Sequence, residues 1–310
     1  MNKRVLFRVD ANFRIGGGHL YRCLILAKEF TKRKINVTFY SNLEGDFKKW
    51  IEDYQIINEI DNKHFDIIIF DGYNFDYQYI NSFNKNRLTK IIVIDDFADK
   101  EKYNSDLIIN PNFYDETPLY NGIDKSKIIT GFESIIINDE VLNIKNQTKN
   151  EINNVLVTFG NSDPDDLTSQ LINSNIEKFL FTFNFVIGDL YRNEKSIHIS
   201  KKNVLLYPSN SLFELYKYTD FAIIAGGNTL WELLYLNIPV ISFSRNLFQK
   251  KILKSLANKG LIMYCENITD LFQIFADLKF IEKIKKIKEQ SKNIIDGKGK
   301  ERIINKIINL

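Results

Sequence analysis

Phe7-Arg8-Val9-Asp10-Ala11-Asn12-Phe13-Arg14-Ile15-Gly16-Gly17-Gly18-His19-Leu20-Tyr21-Arg22 decides the fold, because an apolar run gives way to three glycines and then to helical spacing. Lys3 to Val9 is apolar and β-branched enough for a strand, and His19 to Lys32 sets Leu20, Cys23, Leu24, Ala27 and Phe30 on one stripe of a helix. The turn between them opens at a helix N-terminus. Glycine takes positive φ and lets backbone approach a ligand closely, while the N–H groups of a first helical turn favour an anion. Gly16, Gly17, Gly18 and Arg22 are therefore candidate phosphate-binding positions, and His19 is the candidate base. The spacing is neither the dinucleotide fingerprint nor a P-loop. A tight strand-to-helix turn with a surface histidine is the competing reading of the same residues.

Working outward, 310 residues suit two domains, each able to bury a full core. A 44% hydrophobic and 26% charged composition is that of a soluble globular chain, and the net charge of +3 is spread along it, which argues against a nucleic-acid partner. Lys283 to Lys292 is lysine-rich, but Ile284 and Ile287 recur at helical spacing, so it reads as a solvated helix face. No apolar run approaches the ~20 residues of a membrane span. Met1-Asn2-Lys3-Arg4 runs straight into the first strand without an apolar leader, so a cytoplasmic location is expected. Cys23 and Cys265 lie in different halves and read as reduced core thiols. Nothing in the sequence speaks to oligomeric state.

Val37 to Tyr40, Ile67 to Asp71, Ile91 to Asp95 and Leu107 to Asn110 read as buried parallel strands alternating with helices. The polar stretch Asn143 to Asn154 serves as a link, so the expected domains are 1–145 and 146–310. A second series follows at Val155 to Phe159, Phe181 to Val186, Val204 to Tyr207, Phe221 to Ala225, Val240 to Phe243 and Leu261 to Tyr264, with helices near Thr168, Ser211, Thr229 and Gln249. The expected fold is α/β: two Rossmann-like domains facing a cleft, with ligands beyond the carboxyl ends of the strands. The final helix, Lys300 to Asn309, is a candidate to cross back onto the first domain.

Phe221 to Glu232 repeats the design of the first motif: a buried strand, then Gly226, Gly227, Asn228 and Thr229 opening a helix, which makes a second anion cradle. Glu232, one turn on, either closes a capping box with Thr229 or accepts hydrogen bonds from a ribose diol. Gly160 and Asn161 end another strand where a ligand is within reach, while Asp163, Asp165 and Asp166 suit a helix N-terminus better than a metal. Asp71 and Tyr73 end a strand on the same sheet edge as His19, and Asp95-Asp96 ends its neighbour; one of these carboxylates can orient the imidazole. His64 and His198 sit in polar surroundings and read as exposed. Backbone near Phe159, Ser209 or Phe243 is the candidate for reading a base.

Taken in order, Gly16-Gly17-Gly18-His19-Leu20-Tyr21-Arg22, Asp71-Gly72-Tyr73, Asp95-Asp96, Gly131-Phe132-Glu133-Ser134, Gly160-Asn161-Ser162-Asp163 and Gly226-Gly227-Asn228-Thr229-Leu230-Trp231-Glu232 resemble the UDP-sugar hydrolases of pseudaminic acid biosynthesis, over nearly the whole chain. The resemblance implies a GT-B glycosyltransferase-like fold and metal-independent release of UDP from UDP-2,4-diacetamido-2,4,6-trideoxy-β-L-altrose by water attack at the anomeric carbon, with inversion and no cofactor. It makes His19 the base, Tyr73 a polar contact in the sugar site and Glu232 the ribose ligand. The family's catalytic asparagine falls on Asn246 or Phe248, depending on a two-residue gap. Two departures bear on the sugar: Gly72 stands where the family has histidine, and Ile135 to Asn138 where it has an arginine. An inverting glycosyltransferase, with the same base acting on an acceptor hydroxyl, and a non-catalytic sugar-nucleotide sensor are the competing functions.

Overall fold

Runs rich in Ile, Val and Phe that are buried on both faces form parallel strands. A computed structural model of the chain, which describes residues 3–60, 65–83, 88–98, 103–113, 120, 122–146, 151–194, 197 and 201–310, places such runs in two sheets. The first unit, Met1–Ile137 with Gly297–Leu310, contains β1 (Arg4–Val9), α1 (Gly18–Lys32), β2 (Asn36–Tyr40), α2 (Phe47–Trp50), β3 (Gln55–Ile57), β4 (Ile67–Asp71), α3 (Tyr77–Ser82), β5 (Lys90–Ile94), β6 (Leu107–Asn110) and β7 (Ile128–Thr130). Its sheet has the order β3-β2-β1-β4-β5-β6-β7, parallel throughout. The chain winds outward from β1 to β3, returns to β4 and winds the other way. The order thus reverses between β1 and β4, where Val9 pairs in register with Asp71. Open α/β sheets bind ligands at such switch points, beyond the strand carboxyl ends.

The second unit, Asn138–Asp296, contains α4 (Asp139–Leu142), β8 (Asn154–Thr158), α5 (Leu167–Ile172), β9 (Thr182–Ile187), β10 (Val204–Pro208), α6 (Leu212–Tyr216), β11 (Phe221–Ala225), α7 (Asn228–Tyr235), β12 (Val240–Phe243), α8 (Leu247–Asn258), β13 (Met263–Cys265), α9 (Ile268–Ala276) and α10 (Phe280–Gln290). Its parallel sheet runs β10-β9-β8-β11-β12-β13 and reverses between β8 and β11. Phe181, Phe221, Phe275 and Phe280 fill one face, with Phe275 and Phe280 edge to face at 5.2 Å. Chain-terminal α11 (Gly299–Ile308) packs on the first unit, burying Ile303, Ile304 and Ile307. Arg33, the C-cap of α1, donates to Asn305 Oδ1 at 2.6 Å, and Lys306 to the Ile128 carbonyl at 3.3 Å.

The units divide at Ile137/Asn138 rather than at 145/146. Asn146, which composition marks as link, is already fastened to the second unit, donating to the Tyr216 and Thr219 carbonyls at 2.9 and 3.1 Å, and just before it Tyr235 donates to the Leu142 carbonyl at 3.4 Å. Residues 147–150, His64 and His198 lie outside the described residues. Strands β3 and β7, three residues each at a sheet edge, have no counterpart among the expected strands. Cys265 lies within β13 rather than after a strand. Among the described residues, no helix is long and apolar enough to cross a membrane.

Ile304→Ala deletes a fully buried side chain beneath α11. We expect urea unfolding to show a loss of roughly 2–5 kcal/mol, whereas an unchanged midpoint would mean that α11 does not hold the first unit together.

Candidate active site

Asp10, the residue after β1, accepts from the Asn42 backbone N–H at 2.7 Å and is ion-paired with Arg8. The Arg8 guanidinium lies over the rings of Tyr40 and Phe75, 4.7 and 4.5 Å from their centroids, and donates to the Tyr79 hydroxyl at 2.7 Å. These contacts anchor the loop that follows. Asn12 organises it, its side-chain oxygen accepting from the backbone N–H groups of Arg14 and Ile15 while its carbonyl accepts from Gly16. Gly17 has no room for a side chain: a Cβ would fall 2.6 Å from the Phe47 ring and 2.8 Å from Trp50. Packing against α2 therefore demands this glycine, independently of any ligand. Gly18 then starts α1, which has neither a side-chain cap nor an acidic first turn.

One turn of α1 presents His19, Arg22 and Cys23 to the end of β4, where Asp71 is completely buried. His19 Nδ1 lies 2.7 Å from Asp71 Oδ1. Arg22 donates from Nε to Asp71 Oδ2 at 2.6 Å and from Nη2 to Oδ1 at 2.5 Å, and it clasps Asp96 with Nη1 at 2.7 Å and Nη2 at 3.0 Å. Cys23 Sγ donates to Asp71 Oδ2 at 3.4 Å, and Asn112 donates to Asp96 at 2.9 Å. A buried carboxylate needs such partners to remain charged. Burial works against ionising Asp71, but Arg22 and His19 outweigh it and hold the carboxyl well below the usual range. Asp96, partly buried, meets the same desolvation, and Arg22 likewise brings its carboxyl down. The Cys23 thiol is pushed well up by burial and by Asp71, so it remains an S–H donor.

The same geometry assigns the imidazole tautomer. Arg22 Nη2 also lies 3.1 Å from His19 Nδ1, yet its two N–H bonds are committed to Asp71 and Asp96. Nδ1 must therefore carry the proton that bridges to Asp71. The lone pair is left on Nε2, which makes His19 a base held in one orientation. Tyr73, 49% exposed, sets its ring perpendicular to the imidazole at 4.4 Å and stacks on Phe97 at 4.7 Å. Gly72, in the position where the resemblance expects histidine, has φ +157° and would put a Cβ 2.9 Å from Phe75, so the Phe75 ring that covers Arg8 occupies that space.

Several expected site residues have other places. Arg22 is 7% exposed with its guanidinium between two carboxylates, and Asp71 is fully buried against Arg22 and His19. Asp95 accepts from Tyr103 and Tyr120 and from the backbone of Phe97 and Ala98, which ties down the end of β5. Asp71 is thus the carboxylate that meets His19, and Asp96 stands behind Arg22. Asn138 caps α4, accepting from Glu140 N–H at 3.0 Å.

In the second unit, Gly226 and Gly227 lead from β11 into α7, which again has no side-chain cap and no acidic first turn, so Thr229 and Glu232 form no capping box. Glu232 instead is 3% exposed and accepts from the Tyr216 hydroxyl at 2.8 Å. Asn228 and Thr229 occupy the first two positions of α7 and are partly exposed. Gly160 and Asn161 follow β8, and the Asn161 side chain accepts from Asp189 N–H at 2.8 Å, joining the loops after β8 and β9. Asn246 caps α8, its side-chain oxygen accepting from Gln249 N–H at 2.8 Å. Phe248 lies in the first turn of α8.

No family model matches the chain. An uncharacterised protein of Methanocaldococcus jannaschii is 27% identical over a 337-residue alignment covering 94% of this chain and 69% of that one. The spore coat polysaccharide biosynthesis protein SpsG of Bacillus subtilis is 24% identical over 274 residues, 81% of this chain and 80% of its own. The UDP-2,4-diacetamido-2,4,6-trideoxy-β-L-altropyranose hydrolase of Campylobacter jejuni is 26% identical over 181 residues, 54% of this chain and 64% of that enzyme. Among solved structures, MurG of Acinetobacter baumannii aligns with a TM-score of 0.67 at 12% identity, covering 99% of this chain and all of that one. The chain is a homologue of the Campylobacter hydrolase and of SpsG, and it has a GT-B-like fold of two parallel-sheet α/β domains.

Asp71 and Asp96 titrate lower in the folded chain than in the unfolded one, where about 3.9 applies. The stability they contribute is complete above about pH 4 and is lost as pH falls through their folded-state values. Asp71→Asn should lower stability by about 3–5 kcal/mol at neutral pH, since Arg22 keeps its charge. It should also flatten the acid limb of the urea midpoint plotted against pH. An acid limb identical to that of the native chain would show that Asp71 does not carry it.

Proposed function

We propose that the chain hydrolyses a UDP-linked diacetamido-trideoxy sugar, UDP-2,4-diacetamido-2,4,6-trideoxy-β-L-altrose or a close relative, to the free sugar and UDP. The observation that carries this reading is the Asp71-held imidazole of His19 with its lone pair on Nε2. In the step, Nε2 takes a proton from water as the water oxygen bonds to the anomeric carbon. The bond from that carbon to the β-phosphate oxygen breaks, and its electron pair leaves with UDP. The imidazolium formed is stabilised by Asp71, which is already ionised. Tyr73 and Phe97 beside His19 offer an aromatic face for the apolar side of a deoxysugar and its acetamido methyl groups.

The second unit's part is to hold the nucleotide. Gly226, Gly227, Asn228 and Thr229 at the start of α7 receive the diphosphate, and Gly160 and Asn161 border it across the β8/β11 switch point. Glu232, fixed by Tyr216, is the ribose acceptor. Support comes from the homology to the Campylobacter hydrolase, which acts on a UDP-diacetamido-trideoxy sugar, and to SpsG, a protein of spore coat polysaccharide biosynthesis. A glycosyltransferase reading rests on the fold shared with MurG, and would have His19 deprotonate an acceptor hydroxyl in place of water.

UDP release from a panel of UDP-diacetamido sugars, followed by NMR with no acceptor present, separates these readings. We expect release by the native protein and a loss of about 10²–10⁴-fold in His19→Asn, with UDP binding retained. Acceptor-free release at equal rates in both would overturn the hydrolase mechanism. UDP binding without any release would favour the transferase.

A further inference from the structure

Arg245 follows β12 by two residues and Gly160 follows β8 by two, and in the sheet order these strands flank β11 on either side. The Arg245 side chain reaches back across the mouth of β11, so that Nη1 lies 3.8 Å from the Cβ position at Gly160. The guanidinium thereby stands beside the loop that leaves β8 at the β8/β11 reversal. Its backbone is fixed there. Gln249 accepts from Arg245 N–H at 2.9 Å and donates to the Gly226 carbonyl at 3.2 Å, linking the two loops through one side chain.

The charge of Arg245 is poorly matched for a structural residue. Among the described residues its acidic neighbour is Asp165, at 3.6 Å from Nε and more than half exposed, while Nε is sealed from solvent without a hydrogen bond. Arg22 in the first unit shows the contrast, since its guanidinium is gripped by two carboxylates at 2.5–3.0 Å. A planar guanidinium with donors to spare, held at a switch point beside an uncapped helix start, matches an incoming diphosphate. Resting on the nucleotide-binding role proposed above, we infer that Arg245 binds the diphosphate of the nucleotide and exchanges its loose contact with Asp165 for bidentate contacts to phosphate oxygens. Asp165 then competes with the ligand, and its removal strengthens binding.

The test is calorimetric titration with UDP and with uridine of the native chain, Arg245→Ala, Arg245→Lys and Asp165→Asn, with melting curves to establish folding. Arg245→Ala should weaken UDP by roughly 10- to 100-fold while leaving uridine unchanged. Arg245→Lys should recover part of that loss, and Asp165→Asn should bind UDP more tightly than the native chain. An Arg245→Ala variant that melts normally and binds UDP as the native chain does overturns the inference and leaves the nucleotide reading standing. Equal losses for UDP and uridine also overturn it, by assigning Arg245 to the base or to folding. A native chain that binds no UDP removes the nucleotide reading itself, and this inference with it.

Discussion

A carboxylate sealed from water at the end of β4 governs the first unit. Left alone, an ionised Asp71 would cost several kcal/mol, so the elements around it must deliver positive charge and hydrogen-bond donors to one point. The first turns of α1 do so with His19, Arg22 and Cys23 at helical spacing, while Asp96, itself held by Asn112, takes the remaining N–H groups of Arg22. That requirement fixes the direction in which α1 leaves the glycine loop. The loop in turn needs Gly17 to pass Phe47 and Trp50, and it starts from Asp10, held by Arg8 in its cage of rings. Sheet order, helix direction and imidazole tautomer are therefore coupled through one buried charge.

The second unit reaches the same topology by another route. Among the described residues its switch point holds no buried carboxylate beside a histidine; the turn after β11 is instead supported by Gln249, Arg245 and the capped start of α8. One unit thus offers a fixed base, and the other offers backbone N–H groups and a guanidinium. Base chemistry suits an oriented imidazole, and a departing diphosphate suits helix N-termini and arginine. The proposed division of labour follows from that difference in side chains on closely similar sheets.

Much of this was legible in the sequence. The β-branched runs marked most strands, since a strand buried on both faces leaves a continuous apolar trace, and the glycine turns after β1 and β11 marked both switch points. The partner of His19 was not legible. Asp71, Asp95 and Asp96 all end strands on one edge, and residues 52 positions apart meet only once the sheet order is known. The contacts of Arg22 and Asn246 were equally hidden, because a polar residue near a glycine loop or helix start reads as ligand-binding, and the sequence does not show that Arg22 meets Asp71 and Asp96 or that Asn246 caps α8 through Gln249. Arg245 drew no notice beside Asn246, because its importance lies in reaching a loop 85 positions earlier in the chain.

Everything proposed for the chemistry rests on the tautomer of one imidazole. Long-range proton–nitrogen NMR on uniformly ¹⁵N-labelled protein, with His19 assigned by its disappearance in His19→Asn, reads that tautomer directly. The expected spectrum of the neutral imidazole shows a protonated Nδ1 and a pyridine-like Nε2. A protonated Nε2 with an unprotonated Nδ1 would contradict the account, because the nitrogen free to accept a proton would then be the one facing Asp71 and Arg22.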